Sequence, residues 1–372
     1  MGKELILVGG GHAHLTILKQ LRQFSARGHR VTLVSPSPFH DYSGLGPGLL
    51  SGKVRLTEAR FNIARMVSIR GGLFIEAAAT EIDPEQRKLL LDNGRSLTYD
   101  VISFNSGSTV TLPMPKAAIG KTIFPVKPIA NLFHARQKIV TTARTSNNRL
   151  RLLVIGGGPS GCEVTGNLQS LIHNEKIAAD IIQIAGTRLL NRFPVQVRNQ
   201  VRTLLAGQEF QLHEGLHVNK LTANRAELDD NRTLDFDFAF VASGISATGP
   251  FLNSPLSGEK RAGLIVNQFL QAPNHPEIFG GGDCVNFQNQ PLDKVGVHAV
   301  RQGPVLRHNI MAALEKKKLQ RFQPQSKYLL IFNLGLGRSV ATGYGLCWSG
   351  YPALWLKTLL DSRFIKKFQE LG

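Results

Sequence analysis

The chain has 372 residues, of which 42% are hydrophobic and 37 are glycine, and this length predicts about two to three domains with an ample buried core. Lys and Arg number 44 against 26 Asp and Glu, which gives a formal net charge of +18. No run of about 18 apolar residues occurs, which argues against a membrane-spanning helix. The absence of zinc-ligand spacing and of ribonucleoprotein aromatic motifs argues against a nucleic-acid partner. An anionic membrane surface or an anionic cofactor remains as the partner that the positive charge favours.

The cysteines Cys162, Cys284 and Cys347 are widely separated and form no CxxC motif. This spacing argues against a disulfide framework and favours the reducing cytoplasm. The chain enters a strand directly after Lys3, which leaves no room for a signal peptide. We also expect no metal site.

The first motif is a strand, Leu5–Val8, followed by three glycines and a helical pattern. A strand that turns through glycines into a helix N-terminus is how proteins hold a dinucleotide pyrophosphate. Gly9 permits the tight turn, and Gly11 lets the backbone approach the phosphates. His14 replaces the third glycine of the fingerprint, and we expect its side chain to push the helix slightly off the sheet.

The following elements predict a βαβ unit. His14–Gln23 has leucines at helical spacing, and Val31–Val34 reads as a buried strand. Ser35 occupies the position where an acidic residue usually binds the ribose. Phe39–Leu50 reads as a glycine-rich loop that is apolar enough to lie against a ligand.

Three short strands are predicted next, with a turn at Asp92–Gly94 that joins the second and third in a hairpin. They are Phe74–Ala79, Lys88–Asp92 and Tyr99–Asn105.

The opening pattern then returns within Arg151–Glu163, now with all three glycines, Gly156, Gly158 and Gly161. Two strand–glycine–helix units in one chain are far more specific than either alone. Ala185 stands where the acidic residue of the second unit would be.

In the rest of the chain, a strand like the last strand of the first unit occurs again. A strand that ends in G-G-G-D, further helices and a hairpin are also predicted there. The predicted elements are the strands Asp180–Ile184, Ala239–Gly244 and Glu277–Cys284, the helices Val195–Leu205, Val297–Ala313 and Trp348–Leu371, and the hairpin of Tyr328–Leu334 with Gly337–Thr342.

In this order the motifs resemble the two-dinucleotide-binding-domain flavoproteins of the pyridine nucleotide–disulfide oxidoreductase superfamily. The chain is similar to the branch that contains type II NADH dehydrogenases and sulfide:quinone reductases. It most resembles the flavoprotein module that some bacteria fuse to selenide, water dikinase. That resemblance rests on the stretches Gly9–His14, Tyr42–Leu49, Lys294–Pro304 and Trp355–Phe368.

The resemblance implies an α/β fold with two Rossmann-like, three-layer domains plus a C-terminal hairpin and an amphipathic helix. The first glycine unit would hold FAD, and an N-terminal helix dipole near His298 would face the flavin. The residues implied at FAD are Gly9, Gly11, His12, Ala13, Ser35, Ala79, Gly107, Gly282, Asp283 and His298.

The second unit would hold NAD(P)H, and Glu163 would orient the nicotinamide against the flavin. The implied reaction passes a hydride from NAD(P)H to the flavin and then electrons to a quinone or another small acceptor. Arg188 could meet a 2′-phosphate. Lys127 could reach the flavin region or be solvated, and we favour the solvated position. The residues implied at NAD(P)H are Gly156, Gly158, Ser160, Gly161, Arg188 and Gly244.

Two alternatives stay open. One is a selenium- or sulfur-linked flavoprotein oxidoreductase that uses Cys162 or Cys284, although no paired redox cysteines occur. The other is an FAD-binding partner protein with little turnover. The helix start Gly296–Ala299 lacks the glutamine that shapes the quinone site in type II NADH dehydrogenases, although Gln302 follows it.

The predicted division is an FAD domain of residues 1–115 and 263–325, an NAD(P) domain of residues 116–262, and a C-terminal segment of residues 326–372. Trp348–Leu371 carries aromatic and basic residues, which favours binding to a membrane surface or a homodimer contact. We therefore expect a cytoplasmic protein that lies peripherally on the inner face of the cytoplasmic membrane.

Overall fold

The computed structural model describes residues 2–111, 114–146, 148–258, 262–288 and 290–369. Its α-helices are α1 (His12–Lys19), α2 (Arg22–Ser25), α3 (Gly46–Ser51), α4 (Ile63–Ser68), α5 (Ala130–Thr145), α6 (Pro159–Glu175), α7 (Val195–Leu205), α8 (Gly296–Leu314) and α9 (Tyr351–Gln369).

The strands of the first part of the chain are β1 (Glu4–Val8), β2 (Arg30–Ser35), β3 (Phe39–Asp41), β4 (Arg60–Asn62), β5 (Leu73–Glu76), β6 (Ala79–Asp83), β7 (Lys88–Leu91), β8 (Ser96–Thr98), β9 (Val101–Phe104), β10 (Ser108–Val110), β11 (Ile123–Pro125), β12 (Leu150–Ile155) and β13 (Ala179–Ile184). The later strands are β14 (Phe210–His213), β15 (Val218–Leu221), β16 (Arg225–Leu228), β17 (Thr233–Asp235), β18 (Phe238–Val241), β19 (Ile245–Ala247), β20 (Leu264–Val266), β21 (Gln271–Ala272), β22 (His275–Gly280), β23 (Val285–Phe287), β24 (Leu330–Asn333), β25 (Ser339–Gly343) and β26 (Leu346–Ser349).

Two mainly parallel sheets organise the molecule. One has the strand order β21-β22-β9-β1-β2-β5, and the other has the order β11-β18-β12-β13-β14. Their central strands β1 and β12 pair in parallel with a neighbour on each side, and nearly all of their residues are buried. Such continuous apolar strands form where both faces of a parallel sheet are covered. The strand order reverses at β1 and at β12, and ligands bind at such points in open α/β sheets.

Each sheet has its own hydrophobic core. The first core draws on β1, β2 and β9 and on later residues such as Phe251 and Ile278. The second core draws on β12, β13 and β18 together with Val110. A third cluster joins α7 to the β24-β25-β26 sheet through residues such as Val201 and Phe332. The predicted α/β fold class is confirmed.

Several element predictions in the first sheet need correction. The helix expected over His14–Gln23 begins earlier and ends at Lys19, after which the chain turns and forms α2. The strand expected over Phe74–Ala79 ends at Glu76, because the chain then starts β6. The Asp92–Gly94 turn is present, but it joins β7 to the short strand β8. β9 instead lies beside β1 in the parallel sheet.

The segment Phe39–Leu50 is not an irregular loop. It forms β3 and the buried helix α3, which packs against α5 and α6. The glycines allow this because Gly46 and Gly48 lie directly against the side chains of Ile129 and Val54.

The C-terminal segment also differs from its prediction. Trp348 lies in a third strand, β26, and α9 begins at Tyr351; Leu371 lies outside the described residues. None of the described helices combines the length and the apolar character that crossing a membrane requires.

Candidate functional site

The two glycine turns are built in the same way. The Gly9 amide donates to the Val34 carbonyl at 2.8 Å, and the Gly156 amide donates to Ile184 at the same distance. Both glycines have positive φ, 82° and 135°, where an L side chain would be strained. A Cβ on Gly9 would lie 2.5 Å from the Asn105 carbonyl oxygen. The repeated motif therefore produces two equivalent strand-to-helix turns.

Asn105, which sequence analysis missed as a site residue, fastens the first turn. Its Oδ1 accepts from the amides of Ala13 at 3.0 Å and His14 at 3.3 Å, and its Nδ2 donates to the Gly281 carbonyl at 2.6 Å. It thereby joins the N-terminus of α1 to the G-G-G-D turn. Its position directly after the buried strand β9 was the available signal.

His14 is fully buried. Its Nδ1 lies 2.6 Å from the Gly9 carbonyl oxygen, so Nδ1 carries the proton and donates, and Nε2 accepts from the Ser103 hydroxyl at 2.9 Å. In the second turn a Cβ on Gly161 would overlap the Gly156 carbonyl. The imidazole thus replaces the close helix–strand contact of a glycine with two hydrogen bonds.

The first turn has features that fit FAD. His12 Nε2 and His298 Nδ1 are buried with no hydrogen-bond partner among the described residues, and they lie in the first turns of α1 and α8. Such atoms demand a polar ligand, since an unpaired buried nitrogen is costly. Gly107 has open space where a side chain would otherwise stand. These residues fit the group that the sequence predicts.

A cavity of about 360 Å³ lies beyond the end of β2, near the buried residue Ser35. Ala77 and Ala78 line it, whereas the predicted adenine contact Ala79 is the next residue along the chain. Asp92 and Asn93 line its other side from the β7–β8 turn.

Asp283 lies at the meeting point of the two predicted domains. Its Oδ2 accepts from Lys127 Nζ at 2.7 Å and from Ser108 Oγ at 2.8 Å. Burial opposes ionisation of this carboxyl, but the Lys127 ammonium and the hydrogen bonds outweigh it and lower its pKa. Of the two positions expected for Lys127, the structure disfavours the solvated one, because this ion pair holds its side chain half-buried.

The G-G-G-D turn is held by α8 and by the segment just before it as well. The Gly282 amide donates to Gln302 Oε1 at 2.6 Å, and Lys294 Nζ donates to the Asp283 carbonyl at 2.5 Å. Gln302 is almost fully buried. It therefore stabilises this turn, which sequence analysis did not foresee.

The second turn has an open approach at Gly158, where a Cβ would meet nothing within 4 Å. Gly158 caps α6, so Ser160 and Gly161 lie in the first turn of that helix. Gln183, missed from the sequence, donates from Nε2 to the Gly156 carbonyl at 2.9 Å and accepts at Oε1 from Thr165. It holds this turn as Asn105 holds the first.

Two residues predicted at NAD(P)H lie outside this turn. Arg188 is exposed in the segment after β13. Gly244 accepts at its carbonyl from the Thr111 amide at 2.8 Å, where the chain crosses between the two sheets.

Glu163 reaches toward the C-terminal segment. Its Oε1 accepts from the Asn333 amide at 2.9 Å. Burial raises the pKa of Glu163 to about 6, although the Lys357 ammonium and this hydrogen bond favour the charged form. A carboxyl whose pKa lies near neutral pH, at the junction of α6, β24 and α9, suits a residue that senses or transfers charge.

The cysteines do not form a redox pair. Cys162 packs with the α7 cluster and Cys284 with the core of the first sheet. Burial raises the pKa of both thiols, which disfavours the reactive thiolate.

The sequence matches one known protein family over most of its length. The family model described as pyridine nucleotide-disulphide oxidoreductase matches residues 3–308. The chain is similar to ferroptosis suppressor protein 1 of Taeniopygia guttata, with 24% identity over 98% of this chain and 94% of that protein. It is also similar to type II NADH:quinone oxidoreductase of Staphylococcus saprophyticus, with 22% identity over 100% of this chain and 97% of that protein.

Solved structures of low sequence identity share this fold. The sulfide:quinone oxidoreductase of Aquifex aeolicus superposes with a TM-score of 0.82 at 16% identity, covering 100% of this chain and 92% of that chain. The two glycine turns, the Asp283 turn and the family match agree, and the chain belongs to the pyridine nucleotide-disulphide oxidoreductase family.

Proposed function

We propose that the protein is an FAD-dependent oxidoreductase that takes a hydride from NAD(P)H and passes electrons to a quinone-like acceptor. The observation that carries the proposal is the pair of equivalent glycine turns, Gly9 and Gly156, within one chain. The Staphylococcus relative, named a type II NADH:quinone oxidoreductase and aligned over its near-full length, supports NADH as the donor. When bound, FAD supplies the two-electron chemistry, and the protein supplies placement and electrostatics.

The residues of the first unit take defined roles in this proposal. Gly9, Gly11, His12 and Ala13 hold the pyrophosphate at the N-terminus of α1. Ser35 and the Ala79 backbone, with the cavity beside them, hold the adenosine. Gly107, Gly282, Asp283 and His298 face the ribityl chain and the flavin.

The second unit holds the nicotinamide nucleotide in the same manner. Gly156, Gly158, Ser160 and Gly161 bind the pyrophosphate, and Gly244 lies at the crossing to the first domain. Arg188 is exposed and could meet a 2′-phosphate, while Ala185 offers no acid to repel one. Glu163 orients the nicotinamide through its charge.

The C-terminal surface supports a peripheral membrane location. Leu346, Tyr351 and Trp355 are 65%, 76% and 60% exposed, and Lys366 and Lys367 follow on α9. Exposed aromatic residues at the start of α9 and basic ones toward its end suit an anionic membrane surface. We propose that this face binds the inner side of the cytoplasmic membrane, where a quinone is available; a homodimer contact is the competing use of the same face.

We also propose the division into an FAD domain of residues 1–115 and 263–325, an NAD(P) domain of residues 116–262, and a C-terminal segment of residues 326–372. The separate cores of the two sheets support it. Val110 packs in the second core and Phe251 packs in the first. This packing supports placing both boundaries between the FAD domain and the NAD(P) domain somewhat earlier in the chain.

Kinship with the flavoprotein module of selenide, water dikinase remains a proposal that rests on the four stretches named above. It gives a second candidate function in selenium or sulfur metabolism. The buried, separated thiols of Cys162 and Cys284 do not support it.

An anaerobic titration of the FAD-loaded protein tests the proposed function. NADH should bleach the flavin absorbance near about 450 nm with one nucleotide per flavin. A parallel titration with NADPH tests whether the site, with Arg188, accepts a 2′-phosphate. If neither nucleotide bleaches a protein that retains FAD, the dehydrogenase function is wrong, and a binding partner with little turnover becomes the better account.

A further inference from the structure

The position that selects between NADH and NADPH in a dinucleotide site lies at the end of β13. The Gly156 amide donates to the Ile184 carbonyl, and Ala185 is the next residue. A carboxylate at this position binds the ribose 2′-hydroxyl of NADH, and its charge opposes the 2′-phosphate of NADPH. Ala185 is 7% exposed and has no polar side-chain group. Any choice between the two nucleotides must therefore come from the residues that follow it.

The residues after Ala185 form a short loop that is held against the glycine turn. The Leu190 amide donates to the Gly157 carbonyl at 2.7 Å. Gly157 also lies so close to Ala185 that a Cβ there would be 2.3 Å from the Ala185 carbonyl oxygen. Leu190 is buried, whereas Thr187 and Arg188 between the two anchors are exposed. The loop is thus fixed at both ends beside the turn that is proposed to hold the pyrophosphate.

A histidine from another part of the chain reaches the same loop. Gly186 forms an isolated antiparallel bridge with Leu216, and the Gly215 amide donates to the Gly186 carbonyl at 2.7 Å. A Cβ on Gly186 would lie 3.4 Å from His217 Nε2. His217 Nδ1 lies 3.1 Å from the Asp229 carboxylate. Nε2 is therefore the ring nitrogen that stands next to the first residue of the loop.

The acidic groups around the loop are already paired, and Arg188 is not. Glu214 accepts from the Leu189 amide at 2.8 Å and from Arg202 at 2.6 Å, so both of its oxygens are occupied. Arg188 acts on Glu214 through its charge, but it makes no hydrogen bond or ion pair within the described part of the chain. A guanidinium offers planar, charged donors that match phosphate oxygens.

We propose that the second unit favours NADPH over NADH, because Arg188 and His217 bind the 2′-phosphate with the Thr187 hydroxyl as a further donor. The imidazole Nε2 hydrogen-bonds a phosphate oxygen in either form, donating as imidazolium or accepting from a monoprotonated phosphate. NADH keeps the contacts at the glycine turn but gains nothing from these three side chains. This inference rests on the proposed function, since it takes the Gly156 turn as the site of the nicotinamide nucleotide.

Binding of oxidised nucleotides to the FAD-loaded protein tests the proposal without electron transfer. In isothermal titration calorimetry, NADP⁺ should bind about tenfold more tightly than NAD⁺, the scale of a charge-assisted phosphate contact. Adenosine 2′,5′-bisphosphate and adenosine 5′-monophosphate differ only in the 2′-phosphate and should show a similar ratio. Equal affinities within either pair, or tighter binding of the nucleotide without the 2′-phosphate, would overturn the proposal.

Three substitutions at exposed side chains test the assigned residues. Arg188→Gln should lower the affinity for NADP⁺ by about tenfold and leave that for NAD⁺ unchanged. His217→Ala should change the same ratio in the same direction by about threefold, the scale of one hydrogen bond. Arg144→Gln removes an exposed arginine in the last turn of α5 and should keep the wild-type ratio. Equal losses of both affinities in Arg188→Gln would give the loop a purely structural role and overturn the assignment.

The reverse substitution places an acid at the ribose position. Ala185→Asp should weaken NADP⁺ binding by about tenfold and leave NAD⁺ binding intact or tighter, with retained FAD as the check on folding. A protein that keeps the NADP⁺ preference, but whose flavin neither nucleotide reduces, would contradict the proposed function and leave this inference standing. A flavin that both nucleotides reduce, with equal affinities for the two, would contradict this inference alone.

Discussion

The His14 imidazole donates from Nδ1 to the Gly9 carbonyl at 2.6 Å, across the turn that a glycine fingerprint would close by direct packing. The residue that makes the motif irregular is therefore a structural part of the turn. We predict that His14→Gly, which restores the standard fingerprint, destabilises the protein by about 3 kcal/mol, because it empties buried volume and leaves Ser103 unpaired. Chemical unfolding of His14→Gly and of Ser103→Ala measures the loss of unfolding free energy in each variant. We expect the loss to be smaller in Ser103→Ala. A His14→Gly protein as stable as the wild type would contradict it.

Stability should depend on pH through this same ring. Burial lowers the pKa of His14 to about 4 from an ordinary value of 6.5, so the unfolded chain binds the proton first as pH falls. The stability contributed by the neutral ring is complete above pH 6.5 and is lost as pH falls through 4. We expect His14→Gln to show a shallower decline of the unfolding free energy across this window. Parallel curves for the two proteins would show that His14 does not titrate there.

Glu163 should set a second pH dependence. Its pKa is raised to about 6, so it is charged at pH 8 and protonated at pH 5. Glu163→Gln imitates the protonated form and should lower kcat/KM for NADH about tenfold at pH 8, or ~1.4 kcal/mol. At pH 5 the two proteins should converge. If the ratio of kcat/KM between the wild type and Glu163→Gln stayed constant across the pH range, the role of Glu163 would be purely structural.

Lys127 should support FAD binding through Asp283. Lys127→Met leaves a half-buried carboxylate without its cation, so the pKa of Asp283 should rise and FAD should bind about tenfold more weakly, or ~1.4 kcal/mol. Lys121→Met removes an exposed lysine of the same predicted domain and serves as the control. Fluorescence titration of the apoprotein with FAD gives both values. Unchanged FAD affinity in Lys127→Met would show that Lys127 does not support FAD binding.

The C-terminal face should bind lipid. Replacing Tyr351 and Trp355 with Ser should weaken binding to phosphatidylglycerol vesicles by roughly tenfold or more, because both rings are largely exposed. Leu73→Ser, at an exposed apolar position on β5, should leave vesicle binding unchanged. If the double variant binds vesicles like the wild type but no longer sediments as a dimer, the face is a protein interface instead.

The sequence predicted the two turns well because glycine reports directly on backbone geometry. Gly9 and Gly156 require positive φ, and that requirement is visible in the pattern itself. The helix over Val195–Leu205 was predicted with its observed bounds, since its apolar spacing matches its buried face.

Long-range partnerships could not be predicted in this way. Asn105, Lys127 and Gln183 act through contacts with residues that are distant in sequence, such as Gly281 and Asp283. The His12–His40 contact likewise joins a helix start to a strand that sequence analysis took for a loop. Such side chains have no local signature until the fold brings their partners together.

A double-mixing stopped-flow experiment on the FAD-loaded protein tests the central claim most directly. NADH in the first mix should bleach the flavin band near about 450 nm, and a soluble quinone in the second mix should restore it within one turnover. Loss and recovery of the absorbance, in that order, is the result that the proposed function predicts. A flavin that NADH leaves oxidised, or a reduced flavin that the quinone leaves bleached, would contradict it.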